Sequence, residues 1–571
     1  MSRFLTTTNK ELLAALRESF PQLFSSRTED GETLERLDLE KIRLLAGEGN
    51  YSDRYGLRWE NKPERFDAES VGKLPSLKHV VRKSIQVDPA KPSHVLIQGD
   101  NYHALKVLAY THERSVDVIY IDPPYNTGNK DFKYNDRFVD REDGYRHSKW
   151  LSFMAKRLRL AKSLLKDSGA LFISIDEAEF AQLKLLSCEV FGEENYIGTF
   201  AWRKKVGGGQ AKYFYECHEH VLVIAKNKRC LPALTAKKEV KPTETVIIEG
   251  VPYYRYRGWL RKEHGRKTTD EHFVLFYEEI EQYKGREKLA EIDAEISAGR
   301  MRLEYDKRHG MHEVVKLEPL AGLRKKLSSL ITSCLTSDGN DELLELSLSF
   351  PNPKPLQLVR ELIDSVSSRH AVVLDFFAGS GTTAHAVMQL NAEDGGSRQC
   401  ILVTNDEGEF KDDNGVVLPG GICTHVTYPR LKKVIEGYTT PKGKVVAGRG
   451  ENLEFFETSF VPLPQSRNQL QSFVRYSASL LQLKAGCFTT VEQTLQWSLH
   501  TDGKKHLFVL FDDCAVEDAL QRLESVTGPV VVYVFAYDSD DDSAEIFSKN
   551  PNVTVQEVPQ PLLDLFFRIK E

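Results

Sequence analysis

Two apolar runs, Val116–Ile121 and Ala371–Leu374, constrain this chain most, because each leads directly into a turn of chemically distinctive residues. Near-continuous apolar strands have both faces covered, the pattern of a parallel sheet with helices on each side. Open sheets of that kind bind ligands beyond the carboxyl ends of their strands. The two turns found there read Asp122-Pro123-Pro124-Tyr125 and Phe377-Ala378-Gly379-Ser380-Gly381-Thr382-Thr383.

The surrounding sequence alternates accordingly. His94 to Gln98 predicts a strand, Gly99-Asp100-Asn101 its turn, and Tyr102 to Tyr110 a helix. A helix from Trp150 to Leu165 carries Leu151, Met154, Leu158 and Leu165 near a 3.6-residue period, and the strand Ala170 to Ile175 follows. The rhythm breaks after Thr199. It resumes with a helix from Leu356 to Ser365, the glycine-rich turn, a helix from Thr383 to Leu390 and the strand Cys400 to Val403. The expected fold is α/β, a mostly parallel doubly wound sheet with an inserted region and a smaller C-terminal domain.

Five segments follow: an N-terminal extension over 1–90, two halves of a core over 91–200 and 350–450, an insert over 201–349, and a domain over 451–571. Helices are predicted near Leu12 to Ser19 and Leu37 to Leu45, and a charged helix over Tyr277 to Glu295. Leu507 to Phe511 and Val530 to Phe535 read as strands of the last domain.

A chain of 571 residues, 41% apolar, can bury several cores. It holds no apolar run of about 18 residues, and its start lacks the pattern of a secretion signal, so a cytoplasmic protein without a membrane span is expected. Eight scattered cysteines indicate neither a disulfide scaffold nor a thiol active site. The formal charge of −6 hides segregation: 201–270 has 16 Lys and Arg against 7 Asp and Glu, whereas 451–571 has 9 against 18. A basic middle suits contact with a polyanion, and an acidic end suits protein or solvent.

In the glycine-rich turn, small residues let the backbone approach a ligand, and the following helix offers unsatisfied N–H groups. It lacks the Gly-x-Gly-x-x-Gly pattern of dinucleotide sites and the lysine of a phosphate loop, which disfavours both readings. Asp122-Pro123-Pro124-Tyr125 suits an exocyclic amine such as adenine N6. Asp122 can accept one N–H and the Pro123 carbonyl another, the prolines stiffen their directions, and Tyr125 offers a ring for stacking on an extruded base.

Together these segments resemble the modification subunits of type III restriction–modification systems, adenine-N6 DNA methyltransferases in which the Asp-Pro-Pro-Tyr segment precedes the glycine-rich one. The likeness extends to Tyr145-Arg146-His147-Ser148-Lys149-Trp150, Leu171 to Asp176 and Phe350-Pro351-Asn352-Pro353-Lys354-Pro355. It implies a catalytic pocket of Asp122, Pro123, Pro124 and Tyr125, and an S-adenosylmethionine cradle of Asp375, Phe377, Gly379 and Gly381. It further places Lys354 near the cofactor's methionine carboxylate and Asp100 on the cofactor side. Where many relatives carry an acidic residue for the cofactor ribose, this chain has Thr404-Asn405-Asp406, so that role falls to Asn405 or Asp406.

The resemblance also implies double-stranded DNA as substrate, a homodimer, an ATP-dependent helicase–nuclease restriction subunit as partner, and target recognition by the insert. Arg203, Lys204, Lys205, Arg261 and Lys262 are the expected DNA contacts, to phosphates rather than base edges. His147, at the start of a predicted helix, is expected either to approach phosphate or cofactor or to be an ordinary surface histidine. Cys217, His218, His220 and Cys230 match no standard zinc spacing, and no metal is expected. The competing readings are an N4-cytosine methyltransferase, a catalytically silent DNA-specificity subunit and a solitary adenine methyltransferase.

Overall fold

The structure, a computed structural model, describes residues 24–29, 32–37, 59 and 64–558, apart from 130, 135–136, 209–212, 263–273, 412–414, 464–465 and 536–542. The predicted helix at 12–19 and nearly all of that at 37–45 fall outside the described residues. Within 1–59, Phe24–Glu29 and Glu32–Leu37 pair as an antiparallel hairpin.

Residues 60–571 form the other compact unit. Its central sheet uses ten strands: β1 (Lys73–His79), β2 (Ser93–Gln98), β3 (Val116–Ile121), β4 (Leu165–Ile175), β5 (Tyr196–Arg203), β6 (His218–Ala225), β7 (Leu330–Ile331), β8 (Val372–Asp375), β9 (Gln399–Thr404) and β10 (Asn452–Pro462). Their order across the sheet is β7-β5-β6-β4-β3-β8-β9-β2-β10-β1. The six strands from β4 to β10 in that order are mutually parallel. Antiparallel strands extend both ends, β6 beside β4 and β1 beside β10.

The parallel centre forms because its strands are apolar on both faces: Val95, Leu96, Ile97, Val118, Ile119, Ile121, Val373, Leu374, Ile401 and Leu402 are all fully buried. The helix Arg146–Leu164 buries Trp150, Leu151, Met154, Leu158, Ala161 and Leu164, the stripe its periodicity predicts. The helices Leu356–Val366 and Thr382–Asp394 bury Leu358, Val359, Leu362, Val387 and Leu390.

The sheet reaches beyond the segments drawn from sequence. β5 runs across residue 200, and β6 lies wholly within the expected insert, because Val221 to Ala225 is an apolar run that β4 covers. β1 comes from the N-terminal extension and β10 from the acidic C-terminal segment, where Leu453, Phe455 and Phe456 are fully buried. The separately folded part of the insert begins after β6. It is a four-stranded antiparallel sheet of Thr245–Ile248, Val251–Tyr256, Met311–Pro319 and Met301–Asp306 around Leu260, Leu275, Ile280, Ile292 and Val314.

The predicted charged helix is broken into Ile280–Lys284 and Arg286–Ser297, since Gly285 at φ +85° leaves the helical region. Beyond Ala485 a five-stranded sheet, including His506–Leu510 and Val530–Phe535, closes its own core around Trp497, Phe508, Leu510, Val532 and Phe547. Among the described residues no helix is long and apolar enough to cross a membrane.

Candidate active site

β3 and β8 lie side by side, with Val118 opposite Val373 and Ile119 opposite Leu374. Continuing that register past the strand ends sets Asp122 level with Phe377. The two turns, 255 residues apart in sequence, therefore leave the same edge of the sheet from adjacent strands.

At the first turn four side chains meet. Lys354 Nζ donates to Asp122 Oδ2 at 2.9 Å and to the Tyr125 hydroxyl at 2.7 Å, and lies 3.5 Å from Glu219 Oε2. The Tyr125 hydroxyl is within donating distance of Asp122 Oδ1, 2.8 Å, and of Glu219 Oε2, 3.1 Å. Lys204 Nζ reaches the other Glu219 oxygen at 3.3 Å. Trp150 Nε1 donates to the Pro124 carbonyl at 2.7 Å, which fixes the proline pair against the fully buried indole. Asn126 adopts φ +58° and is buried, its amide donating to Glu179, which also takes a 2.7 Å bond with His147 Nδ1. His147 thus supports the turn through Glu179.

Burial raises the Asp122 pKa, and the nearby Lys354 ammonium only partly opposes it. Glu219 behaves oppositely: burial raises it, but Lys354 and Lys204 outweigh burial and hold it below the usual carboxylate range. Burial, reinforced by the two carboxylates, pushes the Tyr125 phenol well up, so it stays protonated and donates. Burial alone would lower Lys354, but Asp122 and Glu219 raise its pKa and keep it an ammonium.

The second turn is built on glycines with positive φ, Gly379 at +48° and Gly381 at +80°. A side chain at Gly379 would come within 3.3 Å of the Phe350 ring, and one at Gly381 within 3.2 Å of Thr427 Cγ2. Thr427 Oγ1 donates to the Gly379 carbonyl, and the fully buried Arg430 donates to Ser380 Oγ at 3.1 Å and Thr382 Oγ1 at 2.8 Å. Asp375 accepts from Phe377 N and Thr383 Oγ1, and burial raises its pKa to about 7 despite those bonds. Lys354 ties the two turns together, since its carbonyl accepts from Thr382 Oγ1 while its ammonium reaches Asp122.

Asp100 caps the helix Asn101–Thr111 by accepting from His103 N at 2.9 Å. Next to it, Asn101 donates to the Phe376 carbonyl at 2.9 Å, so the Gly99-Asp100-Asn101 turn abuts the glycine turn. Arg157 locks this junction with a 2.6 Å bond to Asn101 and paired 3.0 Å bonds to Glu64. Of the two ribose candidates, Asn405 is exposed, whereas Asp406 already accepts from Thr424 N and Oγ1 at 2.8 Å and from Gln98.

The basic candidates do not act as one group. Lys204 turns into the pocket; Arg203 and Lys205 are exposed beside it; Arg261 and Lys262 lie in the insert, where Lys262 pairs with Glu279 at 2.9 Å. Glu219 and Arg430 escaped the reading of the sequence. The one signal for Glu219 is a carboxylate at the head of an otherwise apolar run, and for Arg430 there is none.

Residues 116–411 match the N6_N4_Mtase family, described as DNA methylase. The chain is 30% identical over 470 residues to the type III restriction-modification enzyme EcoP15I Mod subunit of Escherichia coli, covering 70% of this chain and 71% of that protein. It is 30% identical over 502 residues to the EcoPI Mod subunit of Escherichia phage P1, covering 76% of each. To the type II methyltransferase M.KpnI of Klebsiella pneumoniae it is 32% identical over 385 residues, covering 61% of this chain and 89% of that protein. The chain is an S-adenosylmethionine-dependent DNA methyltransferase. The chain belongs to the N6/N4 DNA methylases, in the group of the type III modification subunits.

The second turn fits that cofactor on structural grounds. Gly379 and Gly381 bring bare backbone to the strand end, Phe377 offers a half-buried ring, and the helix Thr382–Asp394 opens there.

Proposed function

We propose that this protein methylates adenine N6 at specific sites in double-stranded DNA, as the modification subunit of a type III restriction–modification system. The observation that carries the reading is the convergence of Asp122, Tyr125 and Lys354 beside the glycine turn, on adjacent parallel strands.

Asp375, Phe377, Gly379 and Gly381 would hold S-adenosylmethionine, which supplies an electrophilic methyl group. Asp122 would accept a hydrogen bond from N6–H of a flipped adenine and stabilise the positive charge that develops on nitrogen as the N6–methyl bond forms and the methyl–sulfur bond breaks with its electron pair left on sulfur, the N6 proton then passing through Asp122 to solvent. The Pro123 carbonyl aims the second N–H, and Tyr125 stacks on the base. For the amine to reach Asp122, the Lys354 ammonium must give up Oδ2, and Glu219 lies 3.5 Å away to keep it neutralised. Lys354 thus serves the base pocket as well as any approach to the cofactor carboxylate. Ribose recognition falls to the exposed Asn405, because the Asp406 carboxylate is already engaged.

The insert would read the DNA sequence, with Arg203, Lys205 and Arg261 on phosphates. A homodimer and an ATP-dependent helicase–nuclease restriction subunit complete the proposed assembly, which acts in the cytoplasm. The likeness to M.KpnI, named a type II methyltransferase and not a Mod subunit, supports a second reading, a solitary adenine methyltransferase.

Incubating the protein with DNA and methyl-labelled cofactor, then digesting the product to nucleosides, tests the activity. Label in N6-methyladenine supports the proposal; label in N4-methylcytosine, or none, contradicts it. Co-expression with a candidate helicase–nuclease subunit, followed by light scattering, separates the two assembly readings.

A further inference from the structure

β5 and β6 are joined by a loop that Cys217 O closes, accepting from Lys204 N at 2.8 Å and Lys205 N at 3.4 Å. Its two stems enter the pocket wall, since Lys204 and Glu219 pair there at 3.3 Å. Yet the loop exposes large apolar side chains: Val206 is 75% exposed, Tyr213 82%, Phe214 74% and Tyr215 52%. Large apolar side chains exposed side by side in this way mark an interaction surface. Gly207 and Gly208, at φ +146° and +103°, have nothing within 4 Å of where a side chain would stand.

Resting on the reading of the protein as a DNA amino-methyltransferase, we propose that Tyr213, Phe214 and Tyr215 insert into the target duplex and stack where the extruded adenine was. Asp122 cannot be reached by a base inside a duplex, so the adenine must leave its stack and a gap must be held open. Flat rings on the pocket rim fill such a gap without regard to sequence, and inserted apolar side chains are a general means of propping base steps apart. The exposed Arg203 and Lys205 at the stem supply cations for the adjoining phosphates. The occupant is the DNA stack, not a protein surface, because the loop is anchored in the residues that line the base pocket.

The test uses the full chain and two duplexes carrying its methylation site, mapped beforehand by sequencing DNA that the enzyme has modified. In one the target adenine faces thymine; in the other it faces an abasic position, where extrusion costs less. For the triple variant Tyr213→Ala, Phe214→Ala, Tyr215→Ala, kcat/KM should fall about tenfold or more on the paired duplex, the scale of one lost stacking contact, and less than about threefold on the abasic one. Cofactor affinity should be unchanged. Tyr213→Phe with Tyr215→Phe keeps the rings and should keep wild-type activity on both, while Phe214→Ala alone gives the same asymmetry should the triple variant fold poorly. Equal losses on the two duplexes, or no loss on either, would overturn the proposal. Wild-type enzyme that methylates neither adenine would instead overturn the activity on which the proposal rests.

Discussion

The Lys354 ammonium lies 2.9 Å from Asp122 Oδ2 and 2.7 Å from the Tyr125 hydroxyl, and so fills the hydrogen-bonding position an incoming amine must take. A cation thus stands in the pocket where the substrate's N–H donor would lie. Glu219, within reach of Lys354, Lys204 and Tyr125, makes the exchange electrostatically cheap.

Glu219→Gln tests that exchange. Without the second carboxylate Lys354 is held by Asp122 alone, and kcat should fall about tenfold, the size of one lost charge-assisted contact. The pH profile gives an independent sign. Activity needs ionised Asp122, whose raised pKa makes wild-type activity disappear, as pH falls, sooner than an ordinary aspartate would allow. Since the Glu219 charge contributes to that rise, the variant's acid limb should move to lower pH. An unmoved limb would remove Glu219 from the account.

Gly381→Val should abolish cofactor binding. At φ +80° a branched residue is strained, and its Cβ would crowd Thr427, whose hydroxyl holds the Gly379 carbonyl. Cofactor titration by calorimetry, with circular dichroism to confirm folding, checks this. A folded variant with wild-type affinity would make the turn purely structural.

Asp375 should leave a signature in stability. Its folded pKa of about 7 exceeds the unfolded value, so the folded state binds the proton more tightly. The contribution is fully present below the ordinary aspartate pKa and is lost as pH rises to about 7. Denaturant unfolding of the wild type should show this fall, and Asp375→Asn should lack it. Parallel pH profiles would contradict the assignment.

Much of the fold and site could be read from sequence wherever local pattern and chemistry coincide. The runs ending at Asp122 and Asp375 are apolar on both faces, and proline or glycine at their ends has a specific conformational use. What was illegible depends on distant partners. Val221 to Ala225 is as apolar as the central strands, but its basic surroundings masked its place beside β4. β1 and β10 pair across almost 400 residues, so neither segment's own composition announces the sheet. Arg430 and Glu219 are ordinary charged residues until folding sets them against Ser380 and Lys354.

The most direct test of the central claim, that Asp122 is the acceptor for the target amine, is Asp122→Ala with turnover and cofactor Kd measured on the same preparation. A single preorganised contact of this kind commonly accounts for about 100-fold in rate or more. The expected result is kcat reduced at least that far with Kd for S-adenosylmethionine essentially unchanged, because the glycine turn is built on β8. Retention of more than about a tenth of wild-type kcat would contradict the claim.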